Sequence, residues 1–160
     1  MPNATFDAEK ADIQGLYQIS ACESGAIRSI QEVDHAYTAS VNDCERLCFY
    51  TDGSCQFSRQ PQLAHAGWGV VYASSGDKTK RSGPVVAQLQ TSYRAELRAI
   101  AEVLAICKCP LLICTDCKTI AKQIEAYQTT KERAVDTPAP ELWAFIYDII
   151  DLTEDDRVIV

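Results

Sequence analysis

An amphipathic helix followed directly by a continuously apolar strand is the feature that most constrains the fold of this chain. Residues 92–109 repeat apolar side chains at the i, i+3, i+4 and i+7 spacing of one helix face. These side chains are Leu97, Ile100, Ala101 and Leu104. Ser92 is the predicted N-cap, and Pro110 prevents the helix from continuing. The next segment, LLICT at 111–115, lacks polar alternation, which is typical of a strand buried on both faces. The pair predicts an α/β protein.

Three shorter β-type segments precede this helix, and two helices and a strand follow the apolar strand. The predicted elements are strands at 47–51, 66–75 and 82–89, the helix at 92–109, a strand at 111–115, helices at 118–128 and 140–152, and a strand at 157–160. Gly76 and Asp77 are placed at the tip of a hairpin between the second and third strands. We expect a mixed five-stranded sheet with helices packed on it. Its first three strands are antiparallel, and the later ones, which return through helices, are parallel.

The polar, weakly patterned segment 1–45 differs from the rest of the chain, and we expect a leader or linker that is partly ordered at best. The predicted domain is then 46–160. No apolar run approaches the roughly 18 residues that span a bilayer, so no membrane partner is expected. The first residues lack a basic region followed by an apolar one, which argues against secretion and favours an intracellular protein, nuclear or cytoplasmic. A net charge of −7 argues against binding nucleic acid by bulk electrostatics alone.

Three carboxylates come from three separate predicted elements. Asp52 and Asp116 each follow a strand, and Glu96 lies one turn into the first helix. Ligands of open α/β sheets bind at the carboxyl ends of the strands, where these side chains can converge. Clustered acids are costly without cations, and carboxylate oxygens suit Mg²⁺ or Mn²⁺. Ordinary roles remain open: a turn residue for Asp52, a helix cap for Asp116 and a solvent-facing position for Glu96.

The eight cysteines suggest a different class of function, that of a metal-binding or redox protein. Cys109, Cys114 and Cys117 have a C-x4-C-x2-C spacing that is found in some iron–sulfur proteins, and Cys107 precedes them. However, these residues flank and interrupt a predicted strand, and side chains on a strand point to opposite faces. Small buried hydrophobic residues are therefore the favoured interpretation.

Four motifs in this order resemble the type 1 ribonuclease H domains of reverse-transcribing elements, in particular those of non-LTR retrotransposons. They are FYTDGSC at 49–55, AGWGVVY at 66–72, SYRAELRAI at 92–100 and ICTDCKTI at 113–120. The resemblance covers residues 46–160 and implies a ribonuclease H-like three-layer fold. It also implies a metal-dependent endonuclease that hydrolyses the RNA strand of an RNA/DNA hybrid with two Mg²⁺ ions, or Mn²⁺.

Residue roles follow from the same resemblance. The family's catalytic and metal-binding acids match Asp52, Glu96 and Asp116. The residues implied in substrate binding are Gly53, Ser54, Cys55, Ser92, Tyr93 and Arg94. The 2′-hydroxyl group allows a site of this kind to distinguish RNA from DNA. A reverse transcriptase domain of the same polyprotein is a further expected partner.

The sequence departs from the family pattern at its C-terminal end. The family continues after the fifth strand with a histidine-containing loop and a last helix that carries a fourth acid, whereas this sequence stops at Val160. We therefore expect an incomplete domain with the last helix absent, three acidic ligands and one weakly held metal. An alternative function is a catalytically impaired remnant that acts as a scaffold or interaction domain. Basic residues at the predicted hairpin, Lys78, Lys80 and Arg81, are read as a solvated charge cluster.

Overall fold

The computed structural model describes residues 4–22, 27, 38–74, 77–153 and 157–160. Within them the chain forms four helices and six strands. In chain order these are α1 (Ala4–Ala21), β1 (Thr38–Val41), β2 (Cys44–Gln56), β3 (His65–Ser74), β4 (Asp77–Pro84), α2 (Ser92–Ile106), β5 (Leu111–Cys114), α3 (Lys118–Thr130), α4 (Pro140–Asp151) and β6 (Val158–Ile159). No helix in these ranges is both long and apolar enough to cross a membrane.

The five strands predicted from the sequence form one mixed sheet in the order β4-β3-β2-β5-β6. β2 is antiparallel to β3, and β3 is antiparallel to β4. β5 is parallel to β2 and to β6, so the predicted α/β class and strand directions are confirmed. β1 is an additional antiparallel strand on β2. Asn42 and Asp43 join these two strands with φ of 53° and 59°, the left-handed conformation that a two-residue hairpin turn requires.

Two predicted strand boundaries are wrong. The first strand does not end at Thr51 but continues through Asp52 and Gly53 to Gln56, because antiparallel pairing with β3 extends as far as His65. The third strand occupies 77–84 rather than 82–89, so its polar residues pair with β3 as an edge strand. Gly76 lies outside the described residues, and Asp77 begins β4.

Helix α2 is the centre of the hydrophobic core. Every residue from Ala95 to Ile106 is buried, and the helix packs on the sheet face formed in part by Phe49 and Ile113. Its N-cap is Thr91 rather than the predicted Ser92: the Thr91 side chain accepts a hydrogen bond from the backbone N–H of Arg94. Helix α4 also buries an apolar face. Its residues are Leu142, Phe145, Ile146, Ile149 and Ile150.

Helix α1 lies in the segment expected to be a leader or linker, and sequence analysis did not predict it. Leu16 is fully buried, and the Tyr17 ring packs edge-on against Phe145 of α4 with centroids 4.9 Å apart. Lys108 is also hydrogen-bonded to the Ser20 carbonyl. The described part of 1–45 therefore includes an ordered helix docked on α2 and α4, whereas the domain boundary at residue 46 remains a prediction.

Candidate active site

The strand register brings Asp52 and Asp116 to the same edge of the sheet. β2 and β5 are parallel, and their last paired residues are Tyr50 and Cys114. Asp52 lies two residues after Tyr50, and Asp116 lies two residues after Cys114. Equal offsets on adjacent parallel strands place the two residues at the same level. Although Asp52 lies inside β2 rather than after it, the argument from strand ends therefore gives the correct neighbourhood for both carboxylates.

Gly53 brings the start of α2 against β2 and fixes Glu96. Its backbone N–H donates a 2.8 Å hydrogen bond to Glu96 Oε1. A Cβ atom on Gly53 would lie 2.3 Å from the Glu96 nitrogen and 2.6 Å from the Ala95 carbonyl carbon. Because both contacts are with backbone, a side chain would force the helix away from the strand. Sequence analysis assigned Gly53 to substrate binding and did not detect this packing role.

The three carboxylates converge. Asp52, Glu96 and Asp116 each offer one oxygen, and these three oxygens all lie within 4.8 Å of one another. Glu96 is buried, whereas the two aspartates are exposed. They are the only group of three or more potential metal-ligating side chains found in the ranges that the structure describes. None of the three forms an ion pair with a Lys or Arg of those same ranges.

The electrostatic environment of Glu96 is that of an acid lacking a counter-charge. Burial raises the pKa of Glu96, hydrogen bonds from Gly53 and Thr115 lower it, and the charges of Asp116 and Asp52 raise it; the net result is a pKa of about 7. Its second oxygen, Oε2, is buried and has no hydrogen-bond partner. A buried carboxylate oxygen without a partner, close to two further carboxylates, fits a hard divalent cation. The donor set therefore suits the predicted metal.

The predicted substrate-binding residues surround the carboxylates unevenly. Ser92 and Tyr93 line an open pocket of about 420 Å³ together with Gly53, Glu96, Asp116 and Cys117. Ser54 and Asp52 line a second hollow of about 370 Å³ over β3 and β4. Cys55 is half-buried, and its thiol donates to the Gln90 carbonyl at 3.4 Å. The structure thus places four of the predicted residues, Gly53, Ser54, Ser92 and Tyr93, on hollows that triad residues also line, whereas Cys55 contacts the loop before α2.

Arg94 differs from these residues because its guanidinium is paired with Glu141 at the start of α4. Tyr93 also connects the pocket to α4, since its hydroxyl accepts a 3.2 Å hydrogen bond from Trp143 Nε1. Trp143 is itself buried in the core. Cys117 lines the pocket and was not singled out for this role. In the sequence, the position of Cys117 directly after Asp116 was the signal that could have indicated this role.

The cysteines do not assemble a separate site in the described ranges. All eight are free thiols. The Sγ atoms of Cys107 and Cys109 lie 3.5 Å apart in the core, and the hydrogen bond to Cys109, together with burial, raises the thiol pKa of Cys107. Cys114 and Cys117 are half-buried.

Comparison with known proteins identifies the family. The RNase H family model matches residues 44–154, which is most of the chain. The chain belongs to the RNase H family. The matched range of this RNase H domain includes all three carboxylates but not α1. No curated protein sequence matches the chain.

Solved structures agree with the RNase H fold. One is a foamy viral protease-reverse transcriptase in complex with dsDNA, with 23% identity and a TM-score of 0.55; the match covers 70% of this chain and 77% of that one. Another is LC11-RNase H1 in complex with an RNA/DNA hybrid, with 18% identity and a TM-score of 0.52, covering 70% and 80%. At these identities the likeness concerns the fold.

Proposed function

We propose that this protein is a divalent-cation-dependent endonuclease that hydrolyses the RNA strand of RNA/DNA hybrids. The observation that carries the proposal is the convergence of Asp52, Glu96 and Asp116 within 4.8 Å in an RNase H domain. Three acids at this separation are mutually repulsive. A cation between them removes that repulsion, so the geometry favours a metal site over a structural cluster.

The residues available to hold Mg²⁺, or Mn²⁺, are these three carboxylates. Gly53 orients Glu96 through Oε1, which leaves the unpartnered Oε2 available to a cation. When bound, divalent cations lower the pKa of a water molecule and neutralise charge on the leaving oxygen of a phosphodiester. We propose that two ions bind here, as the resemblance to type 1 ribonuclease H domains implies. With three carboxylates in the described site, one ion is expected to be held more weakly than the other.

Substrate recognition is proposed for the pocket walls. Ser54, Ser92 and Tyr93 place hydroxyl groups around the triad, where they can hydrogen-bond to phosphate or to a ribose 2′-hydroxyl. The complex of LC11-RNase H1 with an RNA/DNA hybrid supports the choice of substrate class. The ion pair with Glu141 holds Arg94 toward α4, so we assign Arg94 to positioning the start of α2 rather than to direct phosphate binding.

A partner within a larger protein is also proposed. One similar structure is a protease-reverse transcriptase, which supports a reverse transcriptase domain as the expected neighbour. Such a neighbour would add affinity for the hybrid that a chain with net charge −7 lacks.

The test is cleavage of an end-labelled RNA/DNA hybrid with Mg²⁺ or Mn²⁺ by the wild-type chain and by Asp52→Asn. Asp43→Asn is the matched control, because it makes the same change at an exposed turn residue whose left-handed backbone Asn accepts. We expect metal-dependent cutting by the wild type and by Asp43→Asn, and none by Asp52→Asn. Failure of a well-folded wild type to cut hybrid would favour the scaffold alternative instead.

A further inference from the structure

Gln90, the residue before the α2 N-cap, connects two other segments of the chain with its side chain. Its Oε1 accepts a 2.8 Å hydrogen bond from the backbone N–H of Ala66 in β3. Its Nε2 donates at 3.0 Å to the Val85 carbonyl and at 2.6 Å to the Ala87 carbonyl. The side-chain amide thus uses one acceptor and two donors at once, a combination that among side chains only Asn and Gln offer.

The backbone of Gln90 adds a contact with β2, because its carbonyl accepts a 3.4 Å hydrogen bond from the Cys55 thiol. The ladder between β3 and β4 ends at Pro84, which has no N–H to donate. Beyond Pro84 the chain returns to α2 through residues 85–91, and it is the Gln90 side chain of this loop that bonds to the sheet. Gln90 therefore joins β2, β3 and the loop before α2.

Apolar packing at this junction is sparse. A second hydrophobic cluster, separate from the main core, has the buried residues Ala66, Val85 and Ala95. Two of the three are alanines, which bury little apolar surface. The hydrogen bonds of Gln90 therefore supply positional constraint that large apolar side chains supply in the main core.

Ser92, two residues after Gln90, begins α2 and lines the carboxylate pocket with an exposed side chain. Continuous burial of the helix begins only at Ala95, so the core does not fix Ser92. Glu96, by contrast, is buried and is held by the Gly53 N–H. A shift of the loop would therefore move Ser92 and leave Glu96 in place.

The rest of the first helical turn is anchored elsewhere, on α4. Arg94 is paired with Glu141, and the Tyr93 hydroxyl accepts a hydrogen bond from Trp143. These contacts hold Tyr93 and Arg94 independently of the loop. Ser92 is thus the pocket residue of this turn whose position follows from the loop.

We propose that Gln90 is a positioning residue that holds the Ser92 hydroxyl where the hybrid binds. Its side-chain amide fixes the loop on β3, and the loop determines where Ser92 lies relative to the triad. The inference rests on the proposed function, in which Ser92 hydrogen-bonds to a phosphate or a ribose 2′-hydroxyl of the substrate. A hydrogen bond of about 2.8 Å is lost when its two atoms move roughly 1 Å apart, so a small displacement is sufficient.

The experiment measures single-turnover cleavage of an end-labelled hybrid against the concentration of the full chain, which separates the half-saturating concentration from the maximal rate. Gln90→Met removes the three side-chain hydrogen bonds at similar volume. Gln90→Glu keeps the acceptor but turns an oxygen toward the Val85 and Ala87 carbonyls. The matched control is Gln88→Glu, the same substitution at an exposed position of the same loop. Calorimetric titration with Mn²⁺ and thermal unfolding are measured on each protein.

We expect both Gln90 variants to raise the half-saturating concentration about 5-fold to 10-fold, which corresponds to the loss of about one hydrogen bond. The maximal rate should stay within about 2-fold, as for the loss of a contact made equally in the ground and transition states. The affinity for Mn²⁺ should not change, because Glu96 does not move. Gln88→Glu should behave like the wild type.

A double-mutant cycle with Ser92→Ala identifies the group through which Gln90 acts. Gln90→Met should raise the half-saturating concentration at least about 5-fold in the wild type and less than about 2-fold in Ser92→Ala, because no hydroxyl group remains to be displaced. A residue that only stabilised the fold would have the same effect in both backgrounds.

Other results would overturn the inference. Wild-type half-saturating concentrations for both Gln90 variants, with cleavage intact, would remove the positioning role and leave the proposed function standing. Parallel losses of maximal rate, Mn²⁺ affinity and melting temperature, or full additivity in the cycle, would assign Gln90 to the fold alone. An equal effect of Gln88→Glu would attribute the change to added charge. No cleavage of hybrid by folded wild-type protein would remove the proposed function together with the inference.

Discussion

Two buried glutamates on the same helix have opposite surroundings. Glu102 is 1% exposed and accepts hydrogen bonds from two arginines, Arg81 at 2.5 Å and Arg98 at 2.9 Å. Asp12 of α1 completes this cluster by binding Arg98 through both carboxylate oxygens at 2.9 and 3.1 Å. Glu96, six residues earlier, is 6% exposed and faces two further carboxylates instead.

The difference separates a structural acid from a functional one. The charges around Glu102 alternate and cancel within the fold, so this cluster needs nothing from outside. The negative charges around Glu96 add, and the described residues oppose them with hydrogen bonds from Gly53 and Thr115 but with no positive charge. The helix thus has a neutralised site in its middle and an unneutralised site near its start. The predictions below test that contrast, from the largest expected effect to the smallest.

The largest effect is expected on catalysis at the unneutralised site. Asp116→Asn should lower hybrid cleavage by about 1,000-fold, or about 4 kcal/mol at 1.36 kcal/mol per factor of ten, because one cation ligand is lost. The melting temperature of metal-free protein should stay the same or rise, since a repulsive charge is removed. Single-turnover cleavage and thermal unfolding measure both. Loss of activity accompanied by a lower melting temperature would instead point to a structural role for Asp116.

The neutralised site should show the reverse pattern. Glu102→Ala leaves Arg98, which is 7% exposed, with only part of its compensation, and Arg81 loses its buried partner. We expect a loss of about 3 kcal/mol in the free energy of unfolding, which is the lower end of the range of losses seen when one partner of a buried ion pair is removed. Urea denaturation measures it. A cost below about 1 kcal/mol would show that Glu102 is not neutralised as described.

Glu96 should give metal-free protein a specific pH dependence. Its pKa is raised to about 7 in the fold from an ordinary value near 4.5, so the folded state binds the extra proton between these values. The free energy of unfolding should therefore fall as pH rises from about 4.5 to 7, since the unfolded chain loses that proton first. Glu96→Gln should remove this part of the decline. Identical pH profiles for both proteins, compared by thermal unfolding in EDTA, would contradict the assignment.

The smallest effect is expected where α1 joins the neutralised cluster. Asp12→Asn keeps one hydrogen bond to Arg98 but removes a charge, and Arg98 retains Glu102. We expect a loss of about 1 kcal/mol in the free energy of unfolding with unchanged cleavage of hybrid. Chemical denaturation and a cleavage assay of the same preparation provide the comparison. A larger effect on cleavage than on stability would indicate that α1 acts on the site itself.

Sequence analysis succeeded where local periodicity and strand ends determine the structure. The helix at 92–109 and the buried strand after it gave the core, and the positions of Asp52 and Asp116 after apolar segments gave the edge of the sheet where they meet. Glu96 was also expected to converge with them, from its place one turn into the first helix and from the resemblance. Its backbone hydrogen bond depends on the close approach of Gly53 to α2, a tertiary contact without a local pattern.

The failures have a common physical origin. Helix α1 is stabilised by Leu16 in the core and by Asp12 on Arg98, both distant in sequence, so its own pattern is weak. The polar strand β4 is stabilised by its ladder with β3 rather than by burial. The substrate-binding role that the resemblance implied for Arg94 stays a prediction, and the acid that pairs with its guanidinium, Glu141, lies 47 residues later. Local sequence does not encode such partners.

The most direct test of the central claim is calorimetric titration of the metal-free protein with Mg²⁺ or Mn²⁺. Wild type, Asp116→Asn and Asp43→Asn are compared at pH 7.5. The contrast between the two glutamates predicts saturable binding by the wild type and by Asp43→Asn, and its loss in Asp116→Asn. Absence of binding by folded wild type, or equal binding by all three proteins, would contradict the assignment of the triad as a cation site.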